Sequence, residues 1–392
     1  WGVQIEEDNL LGTGQSLDFE WRSDVERESF GVSYLDPHFR HSFTRLGVAY
    51  VDADDGSTKL LQLDRPFYAL DVRRAAGVYL FDSERNEPRY VLGDAVGEFQ
   101  QREEYYEAYA GVSRGLEGRW VRRWTAGLTY ERDRFAVDPL EPLGGPLPPD
   151  RELAYPWLGF DLVVDGFQER INLDQILRTE DVLVGLRASA RVGYAADGLG
   201  SDRDAIIASA SVQDGTDLRP GVSLFGSLSA SGRIESGELV NGLLSAEGRF
   251  YWATSKYSKF FASASGAAAE QLDPELQLTL GGDNGLRGYP LRYQAGTSRA
   301  LLTLEQRYYT KWYPFRLFHV GAAAFFDMGR TWGTDVTGQE SDGLLKDVGI
   351  GLRLGSSRSS FGNVIHVDLA FPLDGGDDID SVQLLVQTKA SF

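Results

Sequence analysis

The sequence predicts an all-β chain, a closed antiparallel transmembrane β-barrel of about sixteen strands. Three observations predict it. Apolar and polar side chains alternate through segment after segment, which is the period of a strand with two unlike faces. The better segments run to about ten residues, enough for a tilted strand to cross a bilayer. No apolar run approaches the ~20 residues that a spanning helix needs, and the longest candidate, 320–326, is far too short.

The alternation is read in chain order. Phe30, Val32 and Tyr34 alternate with Ser29, Gly31 and Ser33. Leu46, Val48 and Tyr50 alternate with Arg45, Gly47 and Ala49. Trp124, Ala126, Leu128 and Tyr130 face away from Arg123, Thr125, Gly127 and Thr129. The clearest segment, 182–194, sets Val182, Val184, Leu186, Ala188, Ala190, Val192 and Tyr194 against Leu183, Gly185, Arg187, Ser189, Arg191 and Gly193. Val348, Ile350, Leu352 and Leu354 oppose Asp347, Gly349, Gly351 and Arg353. The last segment sets Val382, Leu384, Val386, Ala390 and Phe392 against Ser381, Gln383, Gln387, Lys389 and Ser391. A soluble sandwich fills its inner face with large branched residues. Here the second face carries Arg, Glu, Ser, Thr and Gly, which a wet lumen behind a lipid-facing wall accommodates, as would a large soluble β-protein with one solvated face.

Turns divide the segments. Asp54-Asp55-Gly56 and Asp197-Gly198 read as hairpin turns, and 138–151 and 334–343 as longer loops. The division yields a few more segments than sixteen, chiefly in 57–132, where the surplus reads as loop hairpins or halves of strands. One composition regime runs throughout, so residues 1–392 form a single domain. Forty-five glycines, 18 tyrosines and 8 tryptophans suit tight turns and aromatic interface belts. The net charge of -19 excludes a nucleic-acid partner, which needs a basic surface. The absence of cysteine suits an oxidising compartment such as the periplasm. The chain begins at Trp1, as expected if a leader has been removed.

A specific resemblance lies in the C-terminal third. Gly281-Gly282-Asp283-Asn284-Gly285-Leu286-Arg287-Gly288-Tyr289-Pro290 resembles the inward-folded loop of BamA/TamA-type outer-membrane barrels, with leucine at 286 where valine is commoner. Segments 302–308, with Leu304-Glu305, and 318–329, with Phe325-Phe326-Asp327-Met328-Gly329, resemble the two strands that follow it. Asn9-Leu10-Leu11-Gly12-Thr13-Gly14 and Asp36-Pro37-His38-Phe39 are similar to the early strands. The resemblance is strongest over 276–392. It implies a loop inserted in the lumen, where Arg287, flanked by Gly288 and Tyr289, meets Glu305 and Asp327. Parity agrees. Thr303, Glu305 and Arg307 share one face of their strand, and Ala323, Phe325 and Asp327 one face of theirs. A planar guanidinium suits bidentate binding by such carboxylates. The resemblance also makes Phe392 the terminal signal read by the assembly machinery. Ser381–Phe392 contains no glycine, which implies a well-formed last strand rather than an easily opened seam.

Other chemistry is thin. Gly111-Val112-Ser113-Arg114-Gly115 matches the nucleophile-elbow string, but that motif works only at a strand-to-helix turn. His38, His41, His319 and His366 lack zinc spacing, and parity puts His319 on the lumen face. Asp52-Ala53-Asp54-Asp55-Gly56 lacks the later glutamate of a calcium loop. No enzyme, metal site or cofactor is expected.

What the resemblance implies is a bacterial outer-membrane protein acting in polypeptide insertion or translocation. Its expected partners are outer-membrane lipids and lipopolysaccharide, and the barrel-assembly machinery for its own insertion. POTRA repeats usually precede such barrels, and none is visible here: either they lie upstream of Trp1 in a longer chain, or this is a short form whose substrate capture falls to a periplasmic partner. The alternatives are an anchor or exporter for a fused or partner domain such as a lipase, and a passive pore. No residue points to lipid handling.

Overall fold

The computed structural model describes residues 2–7, 9–23, 27–137, 142–341, 343–357, 364–376 and 379–389. Alternating sequence becomes strand nearly throughout. The first strands are short: β1 (Gly2–Glu7), β2 (Ser16–Ser23), β3 (Glu28–Asp36), β4 (Arg45–Ala53) and β5 (Gly56–Arg65). Longer ones follow: β6 (Arg74–Val91), β7 (Asp94–Glu117), β8 (Trp120–Ala136) and β9 (Arg151–Val164). A small hairpin, β10 (Phe167–Ile171) and β11 (Thr179–Leu183), precedes β12 (Arg187–Ala195), β13 (Ala205–Arg219) and β14 (Val222–Glu235). Next come β15 (Glu238–Ser255) and β16 (Ser258–Glu270), then a second small pair, β17 (Leu278–Leu280) and β18 (Gln294–Gly296). The chain continues as β19 (Ser298–Tyr309), β20 (Phe318–Trp332), β21 (Leu345–Ser356), β22 (Val364–Pro372) and β23 (Gln383–Lys389).

All but the two small hairpins join one 19-stranded antiparallel sheet. Each wall strand pairs with the next in sequence, with β9 passing to β12 and β16 to β19. The expectation of about sixteen strands is therefore corrected upward. The surplus in 57–132 is wall, not loop: β6 and β7 run for 18 and 24 residues and stay paired along their lengths. That is well beyond the ~10 residues a bilayer crossing takes, so these strands also project past it. Among the described residues no ladder joins β1 to β23, so the expected closure through end-strand hydrogen bonds is not found there. The sheet nevertheless wraps an interior. The segment between β16 and β19 touches β6, where Gln277 bonds the backbone of Tyr90 in both directions, and β23, where Gln387 Nε2 donates to Gly282 O.

The segment 182–194 is not one strand. Residues 179–183 pair with β10 in the small hairpin, and the wall begins again only at Arg187. Gly185, at φ 154, makes the break. Val182 and Val184 pack against a cluster of Leu173, Phe225, Tyr251 and Phe261. Hairpin and wall both alternate, so the pattern alone hides the change of partner.

The two faces of the wall differ as expected. Leu128, Leu158, Val192, Ile350, Leu352, Leu384 and Val386 are exposed on the outside, while Asp327, Asp347, Arg353 and Asp368 are buried inside. The outer face changes chemistry within one register step. Leu61, Leu80, Tyr106, Tyr130 and Ala154 lie side by side across β5 to β9, and the next outward-facing row is Lys59, Asp82, Glu104, Arg132 and Glu152. An apolar row meeting a charged row at a tyrosine pair is what the edge of a hydrocarbon slab demands.

Candidate functional site

The loop between β16 and β19 folds inward as a compact turn. The N–H groups of Gly285 and Leu286 both donate to Gly281 O, at 3.1 and 2.9 Å. The Asn284 side chain ties the turn from within, accepting from Gly281 N and donating to Thr279 O. Leu286 has no exposed surface and packs with Leu280, Tyr289 and Leu345, so leucine at this position serves as the apolar foot of the loop.

This turn delivers Arg287 to the wall. Its Nε and Nη2 donate to the two oxygens of Asp327 on β20, at 2.7 and 2.9 Å. Nη1 donates to Glu305 Oε1 on β19 at 2.6 Å. The guanidinium also lies over the Phe325 ring, 3.4 Å from its centroid. Glu305, Asp327 and Phe325, which sequence parity assigns to one side of their strands, face the loop, and the first two meet Arg287. Gly288 is needed for the approach, because a Cβ there would lie 2.5 Å from Asp347 Cβ. Tyr289, almost fully buried, uses its hydroxyl twice on the start of β21, donating to Lys346 O and accepting from Lys346 N. Phe392, expected as the terminal signal, lies outside the described residues.

The cluster is larger than the sequence suggested. Arg307 Nε donates to Glu305 Oε2 at 2.9 Å, so that carboxylate is held by two arginines. Arg353 pairs with Asp368 and lies 3.6 Å from Glu305 Oε1. Asp347 stands directly opposite Asp327 in the β20–β21 ladder. Arg307, Arg353, Asp347 and Asp368 are all essentially buried. Low dielectric makes such charges costly alone and strongly interdependent together. Two glycines make the room: a Cβ at Gly349 would overlap the Phe325 ring, and one at Gly351 would overlap the Asp368 carboxylate. The available signal was a charge on the glycine-bearing inner face of a strand, as at Asp347 and Arg353. What parity could not supply was which inner charges the loop would cover.

No protein-family profile and no curated protein matches the sequence. A solved structure of BamA from Haemophilus ducreyi lacking POTRA domains 1-3 is 13% identical, with a TM-score of 0.51, over 99% of this chain and 69% of that chain. The fold is that of the BamA barrel. CdiB from Escherichia coli is also similar, 13% identical with a TM-score of 0.50, over 95% of this chain and 61% of that chain. At such identity the shared property is the fold, and this chain spans less than two thirds of the CdiB length.

The remaining motifs sit in the wall or turns of this BamA-type sheet. Ser113 lies near the end of β7, donates to Arg122 O and accepts from Gly115 N, in a strand irregularity with no helix after it. His319 stacks on Tyr313 with ring centroids 4.6 Å apart. Asp54 and Asp55 accept backbone N–H groups from Glu28 and Asn86, as turn carboxylates do. Among the described residues no group of His, Cys, Asp or Glu is arranged to hold a metal.

Proposed function

We propose that this chain is a bacterial outer-membrane barrel that assists insertion or translocation of polypeptides. The observation that carries the reading is the Arg287 clamp: a loop inserted in the lumen of a BamA-type sheet and locked by a buried guanidinium on two wall carboxylates. The charged-to-apolar switch on the outer face supports membrane residence, with lipid and lipopolysaccharide as its surroundings and the barrel-assembly machinery as the route of its own insertion. Capture of substrate is assigned to a periplasmic partner or to further domains. A passive pore fits poorly, because inserted segments occupy the lumen. An anchor or exporter for a partner domain such as a lipase would use the same wall and would not require the clamp.

The test is reconstitution of the chain in vesicles of bacterial phospholipid, followed by addition of a urea-unfolded eight-stranded barrel protein. The reading expects faster acquisition of protease-resistant, heat-modifiable substrate than in empty vesicles, and loss of that acceleration with Arg287→Ala. Equal rates with and without the folded chain would overturn it.

A further inference from the structure

The hairpin β10–β11 enters the lumen from the end opposite the Arg287 loop. It leaves the wall after Val164, beside the β7–β8 turn, whereas the Arg287 loop leaves from Glu270 at the far end of β16. Its tip crosses the bore. Ile176 packs with Tyr309, Ala323 and Val364, so a hairpin rooted between β9 and β12 reaches β19, β20 and β22. Wall donors grip the tip carbonyls. Lys259 Nζ and the Tyr309 hydroxyl donate to Asn172 O at 2.5 and 3.0 Å, and Arg307 Nη1 donates to Leu173 O at 3.3 Å. The Tyr251 hydroxyl donates to Asp174 Oδ1 at 2.8 Å.

The tip is also built to hold its shape. The Glu180 carboxylate accepts N–H groups from Leu173, Asp174 and Gln175, and Asn172 Oδ1 accepts from Leu177 N. Burial pushes the Glu180 carboxyl up from its usual range, against the pull of those N–H groups. A tip tied internally can dock and undock as one body. Beside it lies a cavity of about 550 Å³, lined by Glu180, Gln213, Ser227, Glu247 and Arg249 among others. Further along the inner wall Ser209, Ser211, Ser229 and Ser231 are exposed, so solvent reaches this half of the lumen. The opposite half is filled by the Arg287 loop. The two inserted segments share one anchor: Glu305 binds Arg287 through Oε1 and Arg307 through Oε2, and Arg307 in turn holds Leu173 O.

We propose that the 165–186 hairpin is a plug, and that its release opens a hydrated path along β12 to β15 for inorganic ions and small hydrophilic solutes. The proposal rests on the reading of the chain as a membrane barrel. It is tested by single-channel recording in planar bilayers in potassium chloride, using three proteins. One is the native chain. The second has 168–182 replaced by a short Gly-Ser linker. The third carries Ile176→Cys and Gly355→Cys, where a Cβ at 355 would lie 3.2 Å from Ile176 Cβ in a chain with no other cysteine. The linker variant is expected to conduct steadily and the native chain only in rare openings. Oxidation of the cysteine pair should abolish those openings and reduction restore them. Should the linker variant not fold, Lys259→Met with Tyr309→Phe removes both donors to Asn172 O and should raise open time about tenfold. An inserted, heat-modifiable linker or double variant that conducts no more than the native chain overturns the plug. So does steady native conductance that the disulfide leaves unchanged. Failure of the native chain itself to insert would overturn the barrel reading instead.

Discussion

Arg287 meets Asp327 side-on, its Nε and Nη2 each donating to a different oxygen of a carboxylate with no exposed surface. Only a planar fork satisfies both oxygens at once. Arg287→Lys therefore keeps the charge but loses one of the paired bonds, while Arg287→Ala takes from buried Asp327 its cation and leaves Glu305 to Arg307 and Arg353. Loss of one partner of such a pair costs about 3–5 kcal/mol. In urea titrations of the folded barrel, Arg287→Ala should fall by that amount and Arg287→Lys by less. Equal midpoints for the native chain and Arg287→Ala would show that the clamp contributes nothing to stability.

Glu305 and Asp327 bind the same guanidinium, so their contributions should not add. The double-mutant cycle Glu305→Gln with Asp327→Asn is expected to show a coupling energy in the range of about 0.5–3 kcal/mol. Glu305→Gln alone should be the more damaging of the two singles for the hairpin plug, because Arg307 loses its carboxylate partner. Protease access to the 165–186 hairpin reports that difference. Strict additivity in the cycle would mean that the two carboxylates act separately.

How far this was legible in the sequence follows from what alternation encodes. Period two reports two unlike faces: it sets Leu128 and Ile350 on one and Glu305 and Asp327 on the other, and in the structure the first pair is exposed and the second buried. It does not report the hydrogen-bonded partner, so Val182 and Leu183 read as the start of a wall strand when they pair with β10. Nor does it report what lies over an inner charge. Arg249 and Arg353 both sit on inner faces, yet one lines a solvent cavity and the other is fully buried. Arg287, Glu305 and Asp327 were found because a motif in a known order named them. Parity put Arg307 on the face of Glu305, but its bonds to Glu305 and Leu173 O, and the part played by Asp368, entered only with the structure.

Gly288 lies where the loop backbone presses on β21. Gly288→Ala would set a Cβ 2.5 Å from Asp347 Cβ and 3.1 Å from Pro372 N, neither a flexible chain end. Overpacking of this kind typically costs about 1–3 kcal/mol. The barrel should still fold, because its ladders are untouched, but the loop should lift. Limited proteolysis would then cut within 281–293 faster than in the native chain. Unchanged cleavage would indicate that the loop tolerates a methyl group at this contact.

Tyr289 offers a cleaner subtraction. Tyr289→Phe keeps the ring among Leu280, Leu286 and Leu345 but removes the hydroxyl that bonds both Lys346 O and Lys346 N. A buried polar group left without its partner costs about 1–3 kcal/mol. The expected result is a matching drop in urea stability and faster hydrogen exchange at the Lys346 amide. Native-like protection of that amide would show that the hydroxyl is dispensable.

The outer face supplies a test of orientation that does not involve the loop. Leu158 is exposed on β9, between the tyrosine-level row ending at Ala154 and the Trp124–Phe160 aromatic contact, which places it near the middle of the apolar band. Ser229 on β14 faces the wet side of the same wall, opposite Ser211 and Ser245. An arginine facing lipid at the midplane costs about 2–4 kcal/mol, whereas one facing water inside a barrel costs little. Leu158→Arg should therefore lower unfolding free energy in phospholipid vesicles by that amount, with Ser229→Arg nearly neutral. The contrast should shrink in detergent, whose thin and deformable shell lets a guanidinium reach water. If Ser229→Arg were the costlier change in vesicles, the assignment of lipid and lumen faces would have to be reversed.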